Sequence, residues 1–305
     1  MKYIISYLSD NQFVDLKEIS EDEYSSLKNA REFILFYYGF EELFDMVRVN
    51  IYEFWQYYFE ICEKYRLKII SRKEEIIQPI SFFNQRLATI LTSFRSYDDH
   101  MQRKISNSVS SSESVLEFYR HKFSEFYDKD FSFRFFAPLR NYVQHYGYPF
   151  SKIRYNSKIV NDYDEYSVSL LTKKQDLLEF KKWSTIKTEI QKMDDEIDIP
   201  NYLNQFLHTL SSFHKVLREY FNIEFTESSN LLNDVREMCI QDSINNERNK
   251  IENLDIIYIN SISKNTRNEM FWLPFSRLSD IQNYFIKNQI QEVIKKSYST
   301  NKLTV

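Results

Sequence analysis

A chain of 305 residues with two glycines and five prolines has few places to turn. Glycine supplies the left-handed backbone that tight turns and phosphate-binding loops use, so its scarcity removes whole fold classes. Neither G-x-G-x-x-G nor G-x-x-x-x-G-K occurs, which argues against Rossmann and P-loop nucleotide sites. Few breakers among many Leu, Glu, Lys, Gln and Phe predict a mainly α protein: a helical bundle with a minor β-hairpin or small sheet. The length suffices for one sizeable core or two smaller ones.

Local signals place the elements. Residues 2–8 and 13–16 read as short strands. Ser20-Glu21-Asp22-Glu23 forms a capping box that opens a helix expected to end near Gly39. A long aromatic-rich helix is expected over residues 42–67. Pro79 opens or interrupts the next, whose apolar stripe (Leu87, Ile90, Leu91, Phe94) extends to about residue 104. A Ser-rich connection, 106–112, precedes a helix over 113–127. Beyond it, Ile153-Arg154-Tyr155 and Tyr166 to Leu170 alternate as a hairpin. Helix is expected over 174–192, a loop at the acidic run 194–198, and two long helices over 201–220 and 227–252. A strand at 254–259 and a break at Trp272-Leu273-Pro274-Phe275 come before a last amphipathic helix. Short strands near the two ends are expected to pair. The division predicted is an N-terminal extension (1–70), a helical bundle (71–252) with an inserted hairpin near 152–171, and a C-terminal extension (253–305).

The net charge of −4 excludes a generally polybasic nucleic-acid binder, so any RNA contact must come from a local patch. Two basic runs qualify, Lys64 to Lys73 and Lys295 to Lys302, and each reads better as a solvated helix end. Cys62 and Cys239 are too few and too far apart for a disulfide framework or zinc site, and read as buried thiols of a reducing compartment. The N-terminus lacks an adequate apolar signal segment and no stretch of about 18 apolar residues occurs. These features predict a cytoplasmic protein with no membrane partner.

One short stretch carries chemistry. Arg140-Asn141-Tyr142-Val143-Gln144-His145 lies between Pro138 and Gly147, which predict a short helix starting at the one and stopping at the other. Arg140 and Asn141 would then occupy its first turn, where free backbone N–H groups and the helix dipole favour a phosphate. His145 would follow Asn141 by one turn on the same face. A second Arg-x4-His occurs at Arg95 and His100, but without Asn after the Arg, and Asp98 and Asp99 are placed to pair with Arg95 locally. Arg248-Asn249 and Arg267-Asn268 lack the histidine.

The six residues resemble the R-x4-6-H motif of HEPN domains, in the form where Asn follows Arg, with a break after the His at Tyr146-Gly147-Tyr148-Pro149. The resemblance covers the motif helix and the helices around it. It implies a helical bundle and a metal-independent endoribonuclease, of the kind found in toxin–antitoxin and phage-defence systems. It also implies RNA as substrate, a homodimer with two motifs facing one cleft, an antitoxin or regulatory protein as a further partner, and no cofactor. His145 is then the proton-transfer group, Arg140 the phosphate-binding cation and Asn141 an orienting group, three catalytic residues in all. A non-catalytic HEPN-like module that binds nucleotide or protein through the same groove is the alternative. So is a helical protein in which Arg140 is a surface arginine and His145 a satisfied helix-end histidine. Metal and nucleophile patterns are poor: there is no H-E-x-x-H, no G-x-S-x-G and no His near either Cys.

Overall fold

Ser20 opens the first helix by reciprocal bonds: the Glu23 N–H donates to Ser20 Oγ (3.1 Å) and the Ser20 N–H to Glu23 Oε2 (2.8 Å). From there α1 runs without a break over Glu21–Arg66. The expected stop at Gly39 does not occur. Phe36, Tyr37, Phe40, Leu43 and Phe44 are all buried on either side of it, and ending the helix there would expose them. A Cβ on Gly39 would stand 2.4 Å from Lys104 Nζ, so the missing side chain makes room for that lysine. The single glycine costs about 1 kcal/mol of helix propensity, less than burying one large aromatic contributes.

The computed structural model describes residues 1–9, 12–69, 73–108, 112–160, 163–246, 257–263, 266–289 and 303–304. The chain is mainly helical with small antiparallel sheets. After strands β1 (Lys2–Ser9) and β2 (Gln12–Ile19) and helix α1 come α2 (Lys73–Ser108), α3 (Ser112–Lys129) and α4 (Phe131–His145). The hairpin β3 (Lys152–Val160) and β4 (Tyr163–Lys173) follows, then α5 (Lys174–Glu179), a 3-10 turn, α6 (Lys187–Gln191) and β5 (Glu196–Asp198). Helix α7 (Pro200–Asn245), β6 (Ile257–Ser263), β7 (Thr266–Trp272), α8 (Phe275–Gln289) and β8 (Leu303–Thr304) complete the order. Among the described residues, no helix is long and apolar enough to cross a membrane.

Two compact units divide the chain, and both are discontinuous in sequence, where the sequence reading sets three consecutive stretches. The first comprises Met1–Glu42, Lys104–Ser112 and Leu217–Asn288. Its sheet has the order β2-β1-β6-β7, all antiparallel, so strands near the two ends do pair, with Ile5 opposite Ile259. Ile5, Tyr7, Ile257 and Ile259 are buried from the sheet, and Phe33, Phe36, Tyr37 and Phe221 from the helices. Phe36 meets Phe221 edge-on at 5.2 Å, and Tyr37 stacks on Phe225 at 4.5 Å. Glu41, 1% exposed, is held by a two-point ion pair from Arg218, whose Nε donates to Oε1 at 2.6 Å.

The second unit comprises Leu43–Arg103, Glu113–Val216 and Gln289–Val305. Phe94, Phe123, Phe133 and Phe206 join α2, α3, α4 and α7 through edge-on contacts of 4.9 to 5.3 Å. The hairpin pairs as its alternation predicts, with Ile153 opposite Leu170 and Tyr155 opposite Val168. Three expectations are corrected in this unit. Pro79 lies inside α2 and neither opens nor interrupts it. The stretch 174–192 is broken, because Phe180 and Trp183 turn inward between α5 and α6. The acidic run is not simply a loop: residues 196–198 pair with β4, and Glu196 receives Lys152 at 2.8 Å and also pairs with Arg154. In addition, the two helices expected over 201–220 and 227–252 are one α7 as far as Asn245, and residues 247–252 lie outside the described set.

Candidate functional site

Asp130 sets the start of the motif helix. Its carboxylate accepts from the Phe133 N–H at 2.9 Å and from the Ser132 hydroxyl, with its second oxygen receiving Gln205 Nε2 at 2.6 Å. These bonds hold the Asp130 carboxyl below the usual carboxylate range even though burial pushes the other way. Helix α4 therefore begins at Phe131, seven residues before the expected start, and Pro138 is interior to it. This overturns the first-turn placement of Arg140 and Asn141. They are the tenth and eleventh of 15 residues, near the end where the dipole is negative and the free backbone groups are carbonyls. That end favours cations. Any anion held here is held by side chains.

The buried face of α4 is Ser132, Phe133, Phe135, Phe136, Leu139 and Tyr142, in which steps of three and four residues recur. Tyr142, in the middle of the motif, is the anchor. It stacks with Trp183 (5.9 Å, 23°) and meets Phe180 edge-on (5.7 Å), and burial raises its hydroxyl to a pKa of about 12. One turn on, the Tyr146 hydroxyl donates to Glu179 Oε2 at 2.6 Å, which fixes the helix end to α5. The helix stops where the N–H groups of Tyr146 and Gly147 both donate to the Tyr142 carbonyl, at 2.8 and 3.2 Å. Gly147 does this without positive φ, so its end-of-helix role is not the left-handed one. Past it, Asn84 of α2 clamps the chain at two points: the Phe150 N–H donates to Oδ1 (3.0 Å), and Nδ2 donates to the Phe150 carbonyl (2.9 Å).

With Tyr142 inward, Asn141 and His145 face solvent, one turn apart. Arg140 is half-buried. Its Nη1 donates to Asn141 Oδ1 at 3.3 Å, while Nε is sealed from water with no partner among the described residues. Arg140 and Asn141 are thus brought together; among the described residues the His145 imidazole makes no hydrogen bond, to them or to any other group. The second Arg-x4-His is an ion-pair ladder, with Arg95 reaching Asp98 at 3.2 Å and Asp99 at 2.7 Å, as its spacing predicts. Part of the first basic run is also spoken for: Lys64 pairs with Glu60 and Arg66 with Glu63, both at 2.5 Å. Arg72, Lys295, Lys296 and Lys302 lie outside the described residues. Cys62 and Cys239 are buried thiols, and burial pushes both up to about 12. Among the described residues, no group of three or more His, Cys, Asp or Glu is placed to hold a metal ion.

Sequence reasoning missed an open groove of about 1020 Å³ within the same unit. Residues of α2 from Ile80 to Ser96 supply most of its lining, which Met46 and Asn50 of α1 and Tyr148 and Ser151 complete. None of its lining side chains is charged. The signal was faint: a run of Ser, Thr, Ala, Asn and Gln at helical spacing where an apolar stripe would otherwise continue. Comparisons with protein-family models, curated proteins and solved structures give no significant match.

Proposed function

We propose that the chain is a metal-independent endoribonuclease of HEPN type, acting as a toxin or anti-phage effector. The observation that carries the reading is the exposure of Asn141 and His145 on one face, one turn apart, with the Arg140 guanidinium bonded to Asn141. RNA brings its own nucleophile. The 2′-hydroxyl loses its proton and its oxygen bonds to the adjacent phosphorus. The P–O5′ bond breaks, and the 5′-oxygen takes up a proton. The reaction needs a base, an acid and positive charge near the phosphate.

An imidazole suits proton transfer near neutral pH, and a guanidinium forks onto two phosphate oxygens. His145 is assigned to the first role and Arg140 to the second, with Asn141 holding the guanidinium in place. One imidazole does not serve both ends of the reaction at once, so the active form proposed is a homodimer in which each copy contributes His145. An antitoxin or regulatory protein is the further partner this role implies.

A non-catalytic module that binds nucleotide or protein is the second reading. The position of the motif at the negative end of α4 favours its protein-binding form, since the backbone there offers an anion no donors. The two separate on incubation of the purified chain with RNA in EDTA. The first reading expects cutting that falls at least about 100-fold in His145→Ala and in Arg140→Ala, in line with loss of a positioned acid–base or oxyanion-binding group. Cutting that survives both changes sinks it, and RNA retention without cutting supports the second.

A further inference from the structure

We infer that the uncharged groove along α2 seats an unpaired stretch of RNA next to the cleavage site, with the Tyr148 ring as its stacking platform. The ligand's identity rests on the ribonuclease reading; the groove's chemistry does not. Tyr148 is 65% exposed and, among the described residues, contacts no other ring. An aromatic side chain left in water at the lip of a cleft is a ready surface for a base, because every base has a π-face. It stands three residues beyond His145, at most about 11 Å of chain. That is close enough for a base on Tyr148 to belong to a nucleotide beside the reacting phosphate. The Asn84 clamp on Phe150 fixes this segment to α2, so the platform and the groove keep their register.

The groove itself argues for bases over phosphates. With no charged group along it, a phosphate would be desolvated there without compensation, so the backbone must face outward. Three of its hydroxyls are oriented by the helix that bears them. Thr89 Oγ1 donates to the Gln85 carbonyl (3.0 Å), Thr92 Oγ1 to that of Ala88 (2.8 Å) and Ser93 Oγ to that of Ile90 (2.9 Å). Asn50 Nδ2 likewise donates to the Met46 carbonyl at 2.9 Å. With the three hydroxyl hydrogens committed, those oxygens have only lone pairs left to offer a ligand. These three acceptors match the exocyclic amines of cytosine, adenine and guanine and mismatch uracil, whose exocyclic groups are acceptors too. Cytidine is thus preferred to uridine at equal size.

The test measures binding and cutting separately on the full-length chain. Fluorescence anisotropy in EDTA follows labelled oligo(C), oligo(U) and an RNA duplex on His145→Ala protein, alone and combined with Tyr148→Ala, Tyr148→Trp or Ala88→Trp. Circular dichroism confirms that each variant is folded. Oligo(C) should bind more tightly than oligo(U) and than the duplex. Tyr148→Ala should weaken it about tenfold, from the usual worth of one stacked base, and Tyr148→Trp should restore it. Ala88→Trp, which fills the groove from its wall, should abolish the C-over-U preference. Equal binding of oligo(C) and oligo(U), or affinity unmoved by both Tyr148→Ala and Ala88→Trp, overturns the inference. So does conversion of a dimer to monomer by Ala88→Trp with RNA affinity unchanged, which assigns the groove to a second copy. If wild-type protein cuts RNA through His145 while the groove variants bind normally, the groove inference alone has failed. If binding behaves as stated and nothing is cut, the ribonuclease reading alone has failed.

Discussion

Asp198 tests whether the electrostatics of the second unit are understood. It closes β5 beside β4, where its Oδ1 accepts the Leu170 N–H at 3.3 Å. Burial is the main influence on it and raises its pKa from 3.8 to about 6, over the opposing help of the Leu170 and Ser169 hydrogen bonds and of Arg154. A raised carboxyl pKa means that the folded state holds the proton more tightly than the unfolded chain. Its contribution to stability is therefore fully present below about pH 4 and is lost as pH rises through about 6. At 1.36 kcal/mol per tenfold change in proton affinity, the displacement is equivalent to about 3 kcal/mol at neutral pH. Asp198→Asn keeps an oxygen for the Leu170 N–H and removes the buried charge. It should stabilise the protein by about 1–3 kcal/mol at pH 7, the lower figure allowing for an amide N–H that must find its own partner. Urea unfolding at pH 4, 5, 6 and 7 is the assay. The gap between variant and wild type should shrink steadily toward pH 4. A gap independent of pH, or a variant less stable at pH 7, would refute the burial argument.

Lys68 has φ of 58° at the end of α1, where the Lys68 N–H donates to the Tyr65 carbonyl and the Ile69 N–H to that of Lys64. Lys68→Gly should raise stability by about 1 kcal/mol in denaturant titration, because the left-handed cap suits glycine. Pro138 offers no N–H inside α4, so Pro138→Ala should gain about 1–2 kcal/mol by the same measurement; a loss would mean its ring packing matters more. Glu41→Ala should cost about 3–5 kcal/mol, since it strands the Arg218 guanidinium without its buried partner. Trp183→Ala removes the stacking surface of Tyr142 and should lower RNA cutting together with stability, whereas an unchanged cleavage rate would show that α4 needs no such anchor.

Interactions within one turn of helix were legible in the sequence. The Ser20–Glu23 box and the Arg95 ladder to Asp98 and Asp99 depend on spacing alone, and both stand where spacing puts them. The β3–β4 hairpin was legible for the same reason, its register following from alternation. What failed was punctuation. Pro138 and Gly39 break isolated helices, but Asp130 caps α4 upstream and buried aromatics carry α1 through, and tertiary contacts outweigh propensity at both points. That Asn141 and His145 share a face follows from the period, while the place of Arg140 and Asn141 near the end of α4, and not in its first turn, does not. The groove and its clamp were beyond reach, because Asn84 and Phe150 are 66 residues apart and no local pattern links them.

The most direct measurement is of the ends left on RNA cut in EDTA by the purified chain, read by mass spectrometry beside His145→Ala protein and a substrate with one 2′-deoxy nucleotide at the cut. Attack by the RNA's own hydroxyl predicts 2′,3′-cyclic phosphate and 5′-hydroxyl ends, from wild-type protein only and not at the deoxy position. Ends bearing 3′-hydroxyl and 5′-phosphate, cutting at the deoxy position, or the same products from His145→Ala would contradict it.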